Sequence, residues 1–188
     1  MKMDFDPYLW CWFSPDPRML LFPAEFKTSR SLGKVLREQS FDVKVDRDFR
    51  STIESCASVN RPGQESTWIE RDMIEDYIQL HRQGTAHSIE AYQKGQLVGG
   101  LYGLSMGKLF FGESMFHHVP EASKACLAKL VEISKRHEIS FIDCQVHTPH
   151  LESMGAREVG RSWFLDALEE NLNPASSIVD WREESESS

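Results

Sequence analysis

The stretch AHSIEAYQKGQLVGGLYGLSMGKLFFGE, residues 86–113, contains three apolar segments joined by two short turns. The turns, QKGQ and SMGK, each place a glycine where a tight hairpin needs one. Strands joined by such turns pair in an antiparallel manner. The stretch therefore predicts a three-stranded antiparallel meander, around which the other elements are arranged.

Predicted helices and strands lie on both sides of this meander. Before it, the pattern indicates a strand at MLLFP, a helix over 28–39, a strand at FDVKV, a helix over 48–58 and a helix with Thr67 as its N-cap. After it follow a helix over 121–137, a buried strand ISFIDCQV, a strand REVG and a closing helix RSWFLDALEENL. This order predicts an α+β fold, a mixed sheet flanked by helices of the N-acetyltransferase-like (GNAT-like) kind.

The length of 188 residues is typical of one domain with a small annex. We expect a reduced N-terminal part with a basic helix over 1–60, an acetyltransferase-like domain over 61–172 and an acidic flexible tail over 173–188. No apolar segment approaches the roughly 20 residues that span a bilayer. The N-terminus lacks a signal-peptide pattern. We therefore expect a cytoplasmic protein that does not bind membranes.

The net charge of −8 argues against indiscriminate nucleic-acid binding, and we expect no DNA partner. Residues 18–50 nevertheless hold eight Lys/Arg against five Asp/Glu, a local charge of +3. Within the predicted helix over 28–39, three basic residues are spaced i, i+4 and i+7 and form one stripe: Arg30, Lys34 and Arg37. The stripe is either a solvated face or a contact for nucleic-acid phosphates.

Two predicted buried strands contain acids. Glu113 directly follows the apolar run LFFG, and Asp143 and Gln145 lie within FIDCQV. Side chains two apart on a strand share a face, so Asp143 and Gln145 should point one way and Ile142, Cys144 and Val146 the other. A buried acid costs free energy unless it is paired or hydrogen-bonded. The three polar residues either line one cleft or serve to cap a helix or hold a loop.

The sequence offers little for a metal or a cofactor. Cys144, His147 and His150 are three apart, but Pro149 interrupts them and no established zinc spacing is completed. There is no nucleophile elbow, P-loop or dinucleotide motif, and the glycine-rich loop that would hold the pyrophosphate of acetyl-CoA is missing. We expect neither a metal nor a cofactor.

Several motifs together resemble one known family, the bacterial leucyl/phenylalanyl-tRNA–protein transferases. The resemblance covers roughly residues 12–172 and rests on WFSPDPR (12–18), TWI (67–69), HSIE (87–90), LVGGLYG (97–103), LFFGESMF (109–116), ASKACL (122–127), FIDCQV (141–146) and SMGA (153–156). The chain looks like a short member, with thirteen residues before Ser14 where the family has a longer N-terminal segment.

The resemblance implies an aminoacyltransferase. Such an enzyme moves Leu or Phe, with Met as a further candidate donor, from its tRNA to the α-amino group of proteins that begin with Arg or Lys. The product is marked for N-end-rule degradation. The family places three residues at the reaction centre, Glu113, Asp143 and Gln145. Around the amino-acid pocket it places Trp68, Leu101, Phe110, Leu127, Leu130 and Ile142. Basic residues at the predicted first helix would contact tRNA: Arg30, Lys34 and Arg37.

The residue types agree with this chemistry. An aminoacyl ester is already activated, so the enzyme needs positioning and proton handling more than a covalent nucleophile. We expect Asp143 to hold the attacking amine and accept its proton, and Gln145 to orient the ester or stabilise the oxyanion. Glu113 would fix Gln145 or the terminal ribose. Two alternatives stay open: a shortened relative that transfers another acyl or aminoacyl group, and a non-catalytic reader of basic N-termini.

Overall fold

The sheet is the frame on which the site is built. In a computed structural model of the protein, residues 13–59, 69–172, 179–186 and 188 are described. The strands are β1 (Arg18–Leu21), β2 (Asp42–Val45), β3 (Ala86–Gln93), β4 (Gln96–Met106), β5 (Leu109–His117), β6 (Phe141–Gln145) and β7 (Arg157–Val159). The helices are α1 (Arg30–Arg37), α2 (Phe49–Ser58), α3 (Arg71–Arg82), α4 (Ala122–Arg136), α5 (Pro149–Ser153), α6 (Arg161–Asn171) and α7 (Trp181–Glu186).

The seven strands form one mixed sheet in the order β2-β3-β4-β5-β6-β1-β7. The meander predicted from residues 86–113 is confirmed, because β3 pairs with β4 and β4 with β5 in antiparallel register. Its turns place Gly95 and Gly107 at φ values of 79° and 57°, which favour glycine. The β5–β6 pair is parallel, and α4 makes the crossover between them. The predicted α+β class is confirmed, and the mixed sheet fits the acetyltransferase-like arrangement.

Helices cover both faces of the sheet because neighbouring strand residues point to opposite sides. On β4, Leu101 packs into a core with the inner face of α4, whereas Tyr102 packs into a second core with α2 and α3. A third core lies beneath α6 and contains Phe141 and Phe164. The helices predicted at 48–58 and 121–137 are confirmed within a few residues.

The sheet takes strands from both sides of the predicted boundary at residue 60. β1 lies between β6 and β7, and β2 forms the edge beside β3. The N-terminal part of the chain is therefore built into the same sheet as the acetyltransferase-like part. As a result, the segment just after the SPDP motif lies beside the strand that carries Asp143.

The described C-terminal residues differ from the solvated tail that their polar composition predicted. Trp181 of α7 is only 5% exposed; its ring stacks on His87 at 4.3 Å between centroids and also packs against Phe110. Glu184 is buried and binds Arg136. The prediction was wrong for 179–186, because apolar residues within an acidic segment bury themselves against the sheet.

Helix starts were predicted with mixed success. The helix predicted over 28–39 is α1, and the Ser29 side chain caps it by accepting a hydrogen bond from the backbone N–H of Leu32. The predicted cap Thr67 lies outside the described residues, and α3 begins later, at Arg71. Its N-cap, Glu70, makes no side-chain capping bond. Among the described helices, none has the length and apolar composition needed to cross a membrane.

Candidate active site

Glu113 lies in a β-bulge. Gly103 of β4 pairs with Gly112, whereas Tyr102 pairs with Ser114, so Glu113 is the extra residue of β5. Bulges turn a side chain away from the regular alternation and are common next to active sites. Gly103 permits this close approach, because a Cβ there would lie 2.1 Å from the carbonyl oxygen of Phe111.

A second irregularity lies at the end of β6. Leu20 of β1 pairs with Asp143 and Met19 with Gln145, which leaves Cys144 as the extra residue. Gln145 has a φ of 57°, a left-handed conformation that is uncommon outside glycine. Its backbone N–H donates to Oδ1 of Asp143 at 2.9 Å. The strand alternation from which we expected Asp143 and Gln145 to share a face is thus interrupted, and a direct hydrogen bond links the two residues instead.

Parallel pairing brings the two strand ends together. β5 and β6 pair from Leu109 with Phe141 to Phe111 with Asp143. Glu113 lies two positions after Phe111, the last paired residue of β5, and Gln145 lies two positions after Asp143, the last paired residue of β6. The predicted site is therefore assembled at the point where the two strands stop pairing. Asp143 and Glu113 are close enough for the charge of Asp143 to raise the pKa of Glu113.

Asp143 is completely buried and paired with Arg18. Nε of Arg18 donates to both carboxylate oxygens at 3.0 Å, and Nη2 donates to Oδ2 at 2.7 Å. Together with the Gln145 N–H, these contacts satisfy the carboxylate. A carboxylate with these partners is fixed in position, and its oxygens are already occupied as acceptors.

Glu113 is in a different situation. Burial raises the pKa of Glu113 to about 7, and the Asp143 charge adds to the increase; a hydrogen bond from Tyr77 and the charge of Arg18 act in the opposite direction. Burial and the nearby Glu113 also raise the pKa of Tyr77, so its hydroxyl stays protonated and donates. The ring of Tyr77 packs edge-on against Tyr102 at 5.3 Å. Of these two carboxylates, Glu113 is the one poised to exchange a proton near neutral pH.

Neither Arg18 nor Tyr77 is among the residues predicted for the site. Tyr77 lies on α3, the helix that precedes the meander. Arg18 ends the SPDPR motif and was counted only as part of the local basic charge. The position of Arg18 at the start of a strand was the available signal, but only the pairing of β1 with β6 places it beside Asp143.

The residues next to Asp143 and Gln145 differ in their burial. Ile142 is buried in the α4-side core, and Cys144 is partly buried against the same core, as predicted. Val146, which was predicted to share the face of Ile142 and Cys144, is 51% exposed and does not join that core, because the strand ends at Gln145 and the alternation ends with it. Burial and the neighbouring Asp143 raise the pKa of the Cys144 thiol to about 12. This thiol is therefore protonated at neutral pH and is a poor nucleophile.

The residues predicted for the amino-acid pocket occupy the α4-side core. The five described members are each at most 4% exposed: Leu101, Phe110, Leu127, Leu130 and Ile142. They lie together, as predicted, but they pack against one another and do not line an open cup in this conformation. Trp68 lies outside the described residues. A cavity of about 380 Å³ is found elsewhere, between α1, β2 and α4, with Val35, Phe41 and Ala128 in its wall.

The basic stripe of α1 forms as predicted. Arg30, Lys34 and Arg37 are all exposed, while Leu32 faces the core. Lys34 makes one contact within the helix, to Glu38 at 3.9 Å. Exposed pairs of this kind contribute little to stability and leave the cation accessible.

One group of metal-capable side chains lies close together in the described part of the chain. Donor atoms of Asp46, His81 and His87 lie within 4.8 Å of one another. His87 Nδ1 lies 2.7 Å from Asp46 Oδ2, its Nε2 lies 3.1 Å from the carbonyl oxygen of Gly84, and His81 Nδ1 lies 2.8 Å from that of Ala86. Three of the four ring nitrogens therefore face acceptor oxygens, and the group ties the loop after β2 to β3.

The grouping considered from sequence, Cys144 with His147 and His150, is not such a cluster among the described residues. Nε2 of His147 lies 3.1 Å from Glu152. Burial and the charges of Lys124 and His117 lower the pKa of His150.

Comparison with known proteins agrees with the resemblance of the motifs. The family described as "Leucyl/phenylalanyl-tRNA protein transferase" matches residues 20–169. A leucyl/phenylalanyl-tRNA–protein transferase of Paraburkholderia phytofirmans is 54% identical over 183 residues, which cover 95% of this chain and 73% of that protein. One of Syntrophobacter fumaroxidans is 50% identical, covering 93% of this chain and 74% of that protein.

Among solved structures, the chain is similar to a GCN5-related N-acetyltransferase-like protein from Streptococcus suis. The identity is 18% and the TM-score 0.42, over 76% of this chain and 57% of that chain. The sequence matches place the protein among the transferases. It belongs to the leucyl/phenylalanyl-tRNA–protein transferase family.

Proposed function

We propose that the protein transfers Leu or Phe from aminoacyl-tRNA to the α-amino group of proteins with N-terminal Arg or Lys. The transfer would take place in the cytoplasm and mark the acceptor for degradation. Family membership supports the type of transfer, because the match covers 20–169 and the relatives carry this activity in their names. The geometry of the cleft supports the assignment of individual residues.

The observation that carries the proposal is the state of Glu113. The attacking α-amino group has an ordinary pKa of about 7.7–8.0 and is largely protonated at neutral pH. An acceptor whose pKa is about 7 lies within roughly one unit of it, so proton transfer between them is nearly balanced. Glu113 is thus better matched to accept the proton than an acid with an ordinary pKa.

The role first expected of Asp143 passes to Glu113 in this proposal. The Asp143 oxygens are held by Arg18 and by the Gln145 backbone. Glu113 instead takes the proton of the ammonium group, and the free amine attacks the ester carbonyl. The bond to the ribose oxygen then breaks, and Glu113 gives the proton it has taken to that oxygen as it leaves. The second proton, which the attacking nitrogen loses as the amide forms, passes to solvent. In this proposal the Gln145 side chain orients the ester carbonyl.

Direct attack by the amine is favoured over a covalent enzyme intermediate. The Cys144 thiol, with a pKa of about 12, is held protonated by its burial. Two carboxylates, Glu113 and Asp143, face one guanidinium, that of Arg18, so the cleft is net negative when both acids are ionised. A negative cleft favours an acceptor that carries a positive N-terminal Arg or Lys.

The tRNA is assigned to the exposed stripe on α1. Arg30, Lys34 and Arg37 lie in the segment whose local charge is +3, in a chain that is otherwise acidic. Phosphate binding requires such a local positive surface.

Transfer of labelled Leu tests the proposal. Purified protein is incubated with leucyl-tRNA carrying labelled Leu and a peptide that begins with Arg. The matched control is the same peptide with an acetylated N-terminus, which lacks the nucleophile. Label should enter the free peptide alone. Binding of the peptide without transfer would instead identify a reader of basic N-termini, and absence of both would indicate a relative that acts on another acceptor.

A further inference from the structure

We propose that Arg18 is a positioning residue for the transfer reaction. Its guanidinium fixes the carboxylate of Asp143 and, through it, the turn at Gln145 that ends β6. The inference rests on the function proposed above, because it concerns how the same cleft is held in shape.

The contact between Arg18 and Asp143 has the geometry of a fixed element. Two nitrogens of Arg18 make three contacts of 2.7–3.0 Å with the carboxylate. The Asp143 side chain is fully buried and that of Arg18 is 13% exposed. A planar guanidinium can bind both carboxylate oxygens at once, which sets the orientation of the carboxylate as well as its position.

Arg18 is itself held by its surroundings. Its backbone pairs with Val159 of β7, while Leu20 on the same strand pairs with Asp143. The guanidinium lies over the ring of Phe164, 4.5 Å from its centroid, and Nη1 lies 3.5 Å from Oγ of Ser14. Neighbouring elements therefore direct the side chain toward Asp143, which is how a supporting residue keeps a site in one geometry.

Asp143 passes this constraint to Gln145. Its Oδ1 accepts the Gln145 N–H at 2.9 Å while Gln145 holds a φ of 57°. A non-glycine residue keeps such a conformation only where its surroundings impose it. The direction in which the Gln145 side chain leaves β6 then depends on Asp143, and the position of Asp143 depends on Arg18.

The first test separates turnover from binding. In Arg18→Ala, kcat should fall roughly 10- to 100-fold while KM for the Arg peptide stays near the parental value, because the site is misplaced rather than removed. Low-millimolar guanidinium should restore part of kcat by filling the vacated position. Arg18→Lys keeps a buried positive charge but lacks the planar pair of nitrogens that orients the carboxylate, so it should fold and still lose kcat. If Arg18→Ala does not fold, the kcat of Arg18→Lys decides whether Arg18 positions the site.

Arg161 provides a matched control. Among the described residues, it binds Ser14 and Asp16 in the same N-terminal segment rather than Asp143. Arg161→Ala should retain the parental kcat and should not respond to guanidinium.

Amide hydrogen exchange gives a readout that does not depend on transfer. The Gln145 amide should exchange at least roughly tenfold faster in the Arg18 variants, while amides of the β3–β5 meander, which report folding, keep their protection. Unchanged exchange at Gln145, or parental kcat in Arg18→Ala, would overturn the inference. If the parental protein fails to transfer Leu at all, the proposed function is lost, and the exchange result still decides whether Arg18 fixes the turn.

Discussion

Replacing Glu113 by Gln removes the proposed proton acceptor while keeping the shape of the side chain. The pKa of Glu113 is raised from 4.5 to about 7, chiefly by burial. Each unit corresponds to about 1.4 kcal/mol, so ionising this group in the folded protein costs about 3 kcal/mol more than in the unfolded chain.

The sign of this effect on stability follows from the raised pKa. Below about pH 4.5, Glu113 is protonated in both states, and its contribution to stability is fully present. Between about pH 4.5 and 7 the unfolded chain ionises at this residue while the folded protein stays largely protonated, so this contribution is lost as the pH rises to the folded-state pKa. Glu113→Gln does not ionise. It should match the parental Tm near pH 4 and exceed it by roughly 5–10 °C at pH 8.5.

The transfer activity of Glu113→Gln should fall, although its Tm at alkaline pH rises. For the parental protein, kcat/KM should rise with pH through the deprotonation of Glu113 near 7, because ionised Glu113 takes the proton of the bound ammonium group. Glu113→Gln lacks this acceptor, so its rate should depend on the peptide amine that is already free, rise only through the pKa of that amine, and be roughly 10²- to 10⁴-fold lower. The assay is the initial rate of labelled Leu transfer between pH 5.5 and 8.5, corrected for spontaneous ester hydrolysis.

Glu90 provides a matched control for burial. Burial also raises the pKa of Glu90 to about 7, but this acid accepts hydrogen bonds from Ser88 and from the backbone N–H groups of Arg47 and Asp48. Glu90→Gln should alter stability and leave the pH dependence of transfer in place. If Glu113→Gln keeps the rise in kcat/KM near pH 7 and the parental rate, Glu113 is not the proton acceptor.

Three further outcomes are expected. Trp181→Ala removes a buried ring that stacks on His87, so it should lower the free energy of unfolding by about 3–5 kcal/mol in thermal or urea unfolding. An unchanged Tm would show that α7 does not stabilise the fold. Gly103→Ala should lower the Tm and the transfer rate together, since its Cβ would meet the Phe111 carbonyl oxygen; unchanged values of both would show that the bulge tolerates a side chain at this position. The triple variant that removes the basic stripe combines Arg30→Ala, Lys34→Ala and Arg37→Ala. It should raise KM for aminoacyl-tRNA and flatten the salt dependence of binding by roughly one unit of slope per residue, while the peptide KM and the Tm stay at their parental values. Unchanged tRNA affinity would show that the tRNA binds elsewhere.

Much of the fold could be predicted from local signals. The alternation of apolar residues and the glycines at 95 and 107 determine the meander, because hairpin turns depend on only a few neighbouring residues. Helical spacing likewise identifies α2 and α4. The acids of the site were found for a related reason: a carboxylate within an apolar strand stands out in the sequence before its partners are known.

The sequence could not supply the partners and states of those acids. Arg18 and Asp143 are 125 positions apart and meet only because β1 is placed beside β6. The bulges at Glu113 and Cys144 arise from strand register, which has no signal in either strand alone. Burial by the assembled fold then raises the pKa of Glu113, while Arg18 holds Asp143. Two carboxylates that look equivalent in the sequence thus acquire different chemistry, because desolvation and ion pairing depend on contacts between distant parts of the chain.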